Sequence, residues 1–401
     1  MKKVDIAIVG SGAIGLGVAR GLKELDPTLS IAIFEKESKF ASHASARNSG
    51  VLHAGFYYSP ESLKARFCRE GRDALESLIS KYSIPFLKVG KVVVATSAEE
   101  ENRMKILLDR GLANGVQLER LPSSDLVRFE PLAVTHGSFL WSPNTSISDP
   151  NLVNAAIRGE LEEMGVTFFS VSKVEIKNDE WVSNDLKINA KYFINAGGAW
   201  ALDLAHQTKI GTNFRTMPFL GLYKQTATAN LPVRTLVYPV PHAINPFLGV
   251  HFTLTLNGKV KIGPSALPII GKSQYTLKSA VKAEEVLNYA RNLISLSKGN
   301  KHDLLSMMKY EIPKLLTSNL VATASKLVPN AKKITDWQTK PPGIRGQLID
   351  VKNGELLQDF VFEHSEKSTH VLNAVSPGWT AAIPFGRHVA QSVLERLNSS
   401  L

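Results

Sequence analysis

Apolar residues recur along this chain in two rhythms. Residues 4–9, VDIAIV, form a short β-rich apolar run. The next stretch, GSGAIGLGVARGLKELDP, sets Ile14, Val18 and Leu22 on one helical face and ends at Pro27. LSIAIFEKE then reads as a second buried strand. The three segments make a β-α-β unit whose strands pair in parallel through a right-handed crossover. Further on, Leu63, Phe67, Leu75 and Leu78 share a face and predict a helix over about 61–82. GKVVVAT (90–96) reads as a strand, and EEENRMKILLDRGLANG as a helix ended by Gly115. Asp149 as N-cap and Pro150 at the first position predict a helix over 151–164. VTFFSVSKVEIKND and KYFINAGG follow as strands.

From about 215 to 340 the pattern alternates instead. GLYKQTATA, FLGVHFTLTL and KVKIGP read as strands, with helices near 278–297 and 300–327. The last stretch goes back to strand-then-helix order, with THVLNAV a strand, SPGWTAA a turn and AIPFGRHVAQSVLERL a helix. The expected fold class is α/β, with a Rossmann-like nucleotide-binding domain and an inserted, mostly antiparallel β-sheet domain carrying helices. The first takes residues 1–90, 147–214 and 341–401; the second takes 91–146 and 215–340.

Composition adds little to this picture: 44% hydrophobic and 21% charged is ordinary for a globular chain. One cysteine, Cys68, excludes an internal disulfide and a multi-cysteine zinc site, and no metal is expected. Two lysines before an apolar run resemble a signal peptide. That run is about half a membrane-spanning length, and the glycines after it have another use. A net charge of +11 favours anionic partners. The charges are scattered without an Arg/Lys block, as on an ordinary solvated surface; attraction of an acidic ligand or an anionic membrane surface is the next reading, and nucleic acid the last. The expected location is cytoplasmic, with contact at the inner membrane face.

The glycines are Gly10, Gly12 and Gly15, between the first strand and its helix. They permit a tight turn and a close backbone approach, so a pyrophosphate can sit on the helix N-terminus. Glu35 ends the second strand, placed to accept from a ribose hydroxyl; an acid there disfavours a 2′-phosphate. Strand, glycines, helix, strand and acid in this order indicate a dinucleotide. YFINAGGAW (192–200) resembles the strand-end segment of FAD-dependent oxidoreductases of the D-amino-acid-oxidase superfamily, which makes that dinucleotide FAD. A second glycine fingerprint is lacking, so no nicotinamide domain accompanies it.

The resemblance then narrows. RNSGVLHAGFYY, VYPVP, NPFLGVHFT, PPGIRGQLID, DFVF and NAVSPGWTAA are similar to the L-2-hydroxyglutarate dehydrogenase/oxidase family, in order from end to end and over nearly all of the chain. The resemblance implies FAD, a two-domain fold and oxidation of an L-2-hydroxy acid to the 2-oxo acid. It implies cofactor contacts from Lys36, Arg47, Asn48, Ser49, Gly50, Val174, Ala196, Gly197, Trp200, Gly378 and Thr380, beside the glycines and Glu35. The chain departs from the family pattern at Leu220, Leu222 and Leu254, where charged residues or proline are expected. Substrate choice is therefore expected to lie at Leu220, Lys224 and Leu254.

Oxidising an alcohol at a flavin needs a hydride acceptor, a base for the hydroxyl proton and an anchor for the substrate. Histidine suits the base because its unperturbed pKa lies near 6.5. His53, in a glycine-punctuated loop, and His251, within an apolar strand, are the candidates; a hydrogen-bonded core histidine explains the second as well as a base does. Arg345, between prolines and glycine, suits a carboxylate anchor through two parallel hydrogen bonds. Tyr223 and Lys224 are further candidate contacts, of which alternation turns only one inward; Tyr57 and Tyr58 pose the same choice. A helix starting near Thr380 would aim its N–H groups at the negative charge of reduced flavin. The electron acceptor is oxygen, a quinone or another carrier. An amino-acid or amine oxidase of the same superfamily, and a non-enzymatic basic flavoprotein, are the alternatives.

Overall fold

A computed structural model describes residues 3–399, apart from 179, 185, 243–246 and 300–303. Asn245 and Pro246 of the NPFLGVHFT stretch lie outside the described residues. Five sheets are formed among the described residues. The six-stranded sheet runs Val361–His364, Ser368–Asn373, Ala190–Asn195, Val4–Val9, Ile31–Glu35, Thr167–Ser170. All its pairings are parallel except the first, a hairpin. Its central strands are apolar on both faces, as a sheet covered on both sides requires. One face packs on the helices Ala13–Leu25, Leu63–Lys81, Pro150–Glu163 and Ala382–Ser399. The other buries Ala7, Ala32, Phe34 and Phe193 under Val174, Trp181 and Leu204.

The first and last helices meet at almost backbone contact. A Cβ on Gly17 would stand 2.1 Å from the Ala382 carbonyl oxygen, and one on Gly386 2.2 Å from the Gly17 carbonyl carbon. Small residues on both partners let the two ends of the chain lock together over the sheet.

The eight-stranded sheet runs Trp337–Thr339, Lys224–Thr226, Val260–Gly263, His251–Leu254, Leu236–Pro239, Lys91–Val94, Ser138–Ser142, Glu119–Pro122. Only Leu236–Pro239 against Lys91–Val94 is parallel. Between the two large sheets lies a ladder of two eight-residue strands, Phe214–Gly221 and Gly343–Asp350. Phe214–Gly221 is hidden in the sequence by Pro218, which reads as a strand breaker; here it stands opposite Gly346. The ladder pairs a strand that begins at the division expected near 215 with one that lies just past the division expected near 341. A short sheet joins Val51–Leu52 and Phe86–Lys88 through Ser146–Ser148.

The helix expected near 278–297 spans Ala283–Ser297, its first turn closed by the Glu285 carboxylate accepting from Lys282 N (2.9 Å). The helical stretch expected over 300–327 is broken. Its described part is Leu304–Glu311, a 3-10 turn Ile312–Leu315, then Thr317–Ala324. Pro313 has no N–H to give and ends the first piece. Leu63–Lys81 is capped twice: Ser62 Oγ accepts from Ala65 N, and the Asp359 carboxylate from Leu63 N (2.8 Å) and Lys64 N (2.9 Å). No described helix is long and apolar enough to cross a membrane.

Two glycine substitutions of opposite sign test the helix packing. Gly386→Val drives side-chain atoms into the Gly17 backbone and is expected to cost roughly 1–3 kcal/mol or more, read as a lower urea midpoint. Gly159→Ala, in the helix Pro150–Glu163 where a Cβ meets nothing within 4 Å, is expected to raise the midpoint by about 1 kcal/mol of stability.

Candidate active site

Two adjoining cavities, of about 260 and 140 Å³, run from the first β-α turn to the eight-stranded sheet and share Gly12, Ser45 and Ala196 on their walls. The smaller holds Gly10, Glu35, Lys36, Val174, Gly197 and Trp200. Gly10 adopts φ +104°, and a Cβ there would stand 2.5 Å from the Ala196 carbonyl oxygen. A Cβ on Gly15 would stand 2.0 Å from the Gly10 carbonyl oxygen, so Gly15 shapes the turn from behind without lining either cavity. Glu35 accepts from Ser11 N (3.0 Å) and Ser11 Oγ (2.7 Å), which fixes its carboxylate at the cavity wall. The Lys36 ammonium sits 3.3 Å from the Trp200 ring centroid.

A polar loop forms the far wall. Asn48 Nδ2 donates to the Ser45 carbonyl (2.9 Å) and its Oδ1 accepts from Gly50 N (2.9 Å). Arg47 Nε donates to the Ser42 carbonyl (3.0 Å), and its guanidinium lies 4.0 Å from the Tyr275 ring centroid. Arg47, Asn48 and Ser49 line the larger cavity; Gly50 does not. It takes φ +78° to let the Ser148 carbonyl approach. Gly378 and Thr380 also line the larger cavity. The terminal helix starts at Ala382, past the expected Thr380. Thr380 instead ties the loop down: its Oγ1 donates to the Val51 carbonyl (3.2 Å) and accepts from His53 N (3.4 Å).

The larger cavity ends at His53, His251, Tyr223 and Arg345. Arg345 arrives on the strand Gly343–Asp350, directly opposite Phe219. Its guanidinium stacks 4.6 Å from the Phe247 ring centroid and has no hydrogen bond or ion pair among the described residues. Both histidines are buried. His251 Nδ1 lies 2.8 Å from the Gly249 carbonyl, so Nδ1 carries the proton and Nε2 is left as acceptor. Burial pushes His251 down to about 3, and the Lys91 charge adds to this while the Gly249 carbonyl opposes it. Burial, then the Lys91, His251 and Arg345 charges, hold His53 well below the usual imidazole range. Burial pushes the Tyr223 phenol up to about 12, keeping it neutral.

Lys224 points away: its Nζ donates to Thr339 Oγ1 (2.7 Å) and it does not line the cavity, so Tyr223 is the inward member of the pair. Tyr58 sits behind the wall with its hydroxyl toward Ser376, and burial raises its phenol well above 10. Leu220 and Leu254 also fail to line the cavity. Phe219, Gly221 and Tyr223 line it, while Leu220 and Leu222 pack with Leu267 and Ile269 in a separate apolar cluster. Strand parity thus removes Leu220 and Lys224 from substrate choice. Leu254 packs into the apolar clusters of the eight-stranded sheet.

Several residues at the site give no signal in the sequence. Ser45 Oγ accepts from Ala13 N (2.9 Å) at the first helix turn. Tyr275, with Lys272 paired to Asp203 (2.5 Å), reaches the smaller cavity from far along the chain. Lys91, at the head of an apolar strand, is fully buried behind the histidines.

A family model described as FAD dependent oxidoreductase matches residues 5–392. The L-2-hydroxyglutarate dehydrogenase of Salmonella houtenae is 33% identical, over 97% of this chain and 93% of that protein. The mitochondrial L-2-hydroxyglutarate dehydrogenase of Caenorhabditis elegans is 32% identical, over 99% and 94%. Among solved structures, an FAD-bound L-alpha-glycerophosphate oxidase from Mycoplasma pneumoniae aligns with a TM-score of 0.73 at 22% identity, covering 99% of this chain and 95% of that one. A glycine oxidase from Geobacillus kaustophilus aligns at 0.71 and 19%, covering 98% and 94%. The latter two share the fold. The glycine turn, Glu35 and the Ala196 strand end suit a dinucleotide, and the cofactor is FAD. This chain belongs to the FAD dependent oxidoreductase family and, within it, to the L-2-hydroxyglutarate dehydrogenases.

Proposed function

We propose that this protein oxidises L-2-hydroxyglutarate to 2-oxoglutarate. The observation that carries the reading is Arg345, a guanidinium at the cavity wall with no acid to pair it among the described residues. A half-buried guanidinium facing the cavity calls for an anionic ligand. Its planar fork matches a carboxylate through two parallel bonds and fixes the neighbouring carbon in place. The names of the relatives supply the substrate.

Bound FAD supplies the hydride-accepting chemistry. The protein's own task is to hold the substrate carboxylate on Arg345 and to receive the hydroxyl proton. We assign that proton to His251 Nε2, because the Gly249 carbonyl fixes its tautomer with Nε2 unprotonated. The O–H bond breaks, an N–H bond forms on Nε2, and the Nδ1–H bond to Gly249 steadies the resulting cation. His53 and Tyr223 flank the same end of the cavity and exclude water.

Anaerobic addition of L-2-hydroxyglutarate to the FAD-loaded protein is expected to bleach the flavin absorbance, and D-2-hydroxyglutarate or amino acids are not. Bleaching by amino acids alone would overturn the reading. Arg345→Met is expected to retain FAD but lower kcat/KM by about 10²–10³-fold; Arg345→Lys, which keeps the charge without the fork, should fall between. His251→Asn is expected to lower kcat by about 10²–10⁴-fold with little change in KM. A larger loss in His53→Asn would transfer the proton-accepting role to His53.

A further inference from the structure

Lys91 opens the strand Lys91–Val94 with its side chain fully buried, and its ammonium has no hydrogen-bond partner among the described residues. Buried lysines ordinarily pair with an acid or with carbonyls. This one lies 4.2 Å from the Tyr238 ring centroid and 5.3 Å from those of Phe56 and Tyr57. Aromatic faces carry negative charge density and hold a cation without neutralising it. The cage is continuous with the active site. Strand register puts Lys91, Tyr238 and His251 on one face of the eight-stranded sheet. The Tyr238 ring stacks on the His251 imidazole at 3.8 Å between centroids, 16° from parallel. Cation, phenol ring and imidazole therefore form one column ending at the cavity.

We propose that Lys91 is a positioning residue for proton acceptance: caged by Phe56, Tyr57 and Tyr238, it fixes the ring stacked on His251 and sets a positive charge behind both histidines. The proposal rests on the reading that a neutral histidine takes the hydroxyl proton.

The sign of the effect follows from the surroundings. From the helix Leu63–Lys81 the column meets Cys68, whose thiol burial pushes up to about 12 and keeps uncharged. From the loop it meets His53 and Tyr57, and from the neighbouring strands Tyr238 and His251; both phenols are raised by burial and neutral. Arg345 faces His53 from the ladder. Burial lowers Lys91 itself to about 7, so it carries its charge in the acid range, where an ordinary histidine would protonate. Above that range the histidines are neutral without its help.

The test is the pH dependence of kcat/KM in FAD-loaded wild type, Lys91→Met and Lys91→Arg. The wild-type acid limb is expected well below pH 6.5. In Lys91→Met it should move up by roughly half a pH unit or more, with KM at about pH 8 changed less than about threefold. Lys91→Arg should restore the wild-type limb. An unmoved limb in Lys91→Met overturns the proposal. So does a rise in KM of about tenfold or more without a shift, which would make Lys91 a substrate contact. If Lys91→Met does not retain FAD, the wild type still decides. With ring-labelled histidine, signals assigned through His53→Gln and His251→Gln should not titrate between about pH 5.5 and 8, and titration of either near 6.5 overturns the proposal. Should no hydroxy acid reduce the flavin, the substrate reading falls, while ring titration in the Lys91 variants still measures the cation's effect.

Discussion

Among the described residues no acid pairs with Arg345, and the rest of this site is arranged around that guanidinium. Taking Arg345 out of water is costly unless a counter-charge or strong polar contacts replace the hydration. The fold offers an aromatic face, Phe247, and leaves the in-plane N–H groups toward the cavity. Satisfying those donors falls to whatever enters. The remaining cations sharpen the bias. Lys64, buried in the first turn of its helix, is lowered to about 7 by burial and by the Arg345 charge. The nearby Asp359 spends its oxygens on the N–H groups of Leu63, Lys64 and Phe360. That acid thus serves a helix end, and the site keeps its positive character.

That arrangement depends on register. Arg345 stands opposite Phe219 in the ladder that bridges the two large sheets. A one-residue slip of either strand would turn Arg345 into the apolar cluster of Leu220, Leu267 and Ile269. Gly343 and Gly346 hold the register by close approach: a Cβ on Gly343 would stand 2.7 Å from the Arg47 carbonyl oxygen, and one on Gly346 2.8 Å from Ala199 Cα. The polar loop around Arg47 and the strand that carries Arg345 are therefore fitted to one another through backbone.

How much of this is legible in the chain depends on whether the signal is local. The first β-α-β unit, its glycines and Glu35 can be read because turn, helix start and strand end sit within a few residues of each other. His251 can be read because a histidine in an apolar strand stands out. Leu220 and Lys224 mislead, since parity in an irregular stretch with Pro218 and Gly221 cannot be counted from the sequence; the structure turns Phe219 and Tyr223 inward instead. Thr380 reads as a helix start, but its hydroxyl serves the Val51 carbonyl more than three hundred residues away. Lys91 gives no signal because a lysine at the head of an apolar strand looks like an exposed end. Only tertiary packing of Phe56, Tyr57 and Tyr238 makes it a buried cation.

A histidine held so far below its usual pKa would be a weak base, and cationic walls around it oppose any proton it accepts. The conflict resolves once the substrate is counted as part of the electrostatics. A dianionic hydroxy diacid brings two negative charges into a cavity walled by Arg345, with Lys91 and Lys64 behind it. A carboxylate on Arg345 cancels one of the positive charges that depress His53. For His251, lowered first by burial and then by the Lys91 charge, the gain comes from the ligand's own negative charge, which favours the protonated imidazole. A neutral alcohol of the same shape would meet the weaker base, so the charge that confers binding also contributes to the chemical step.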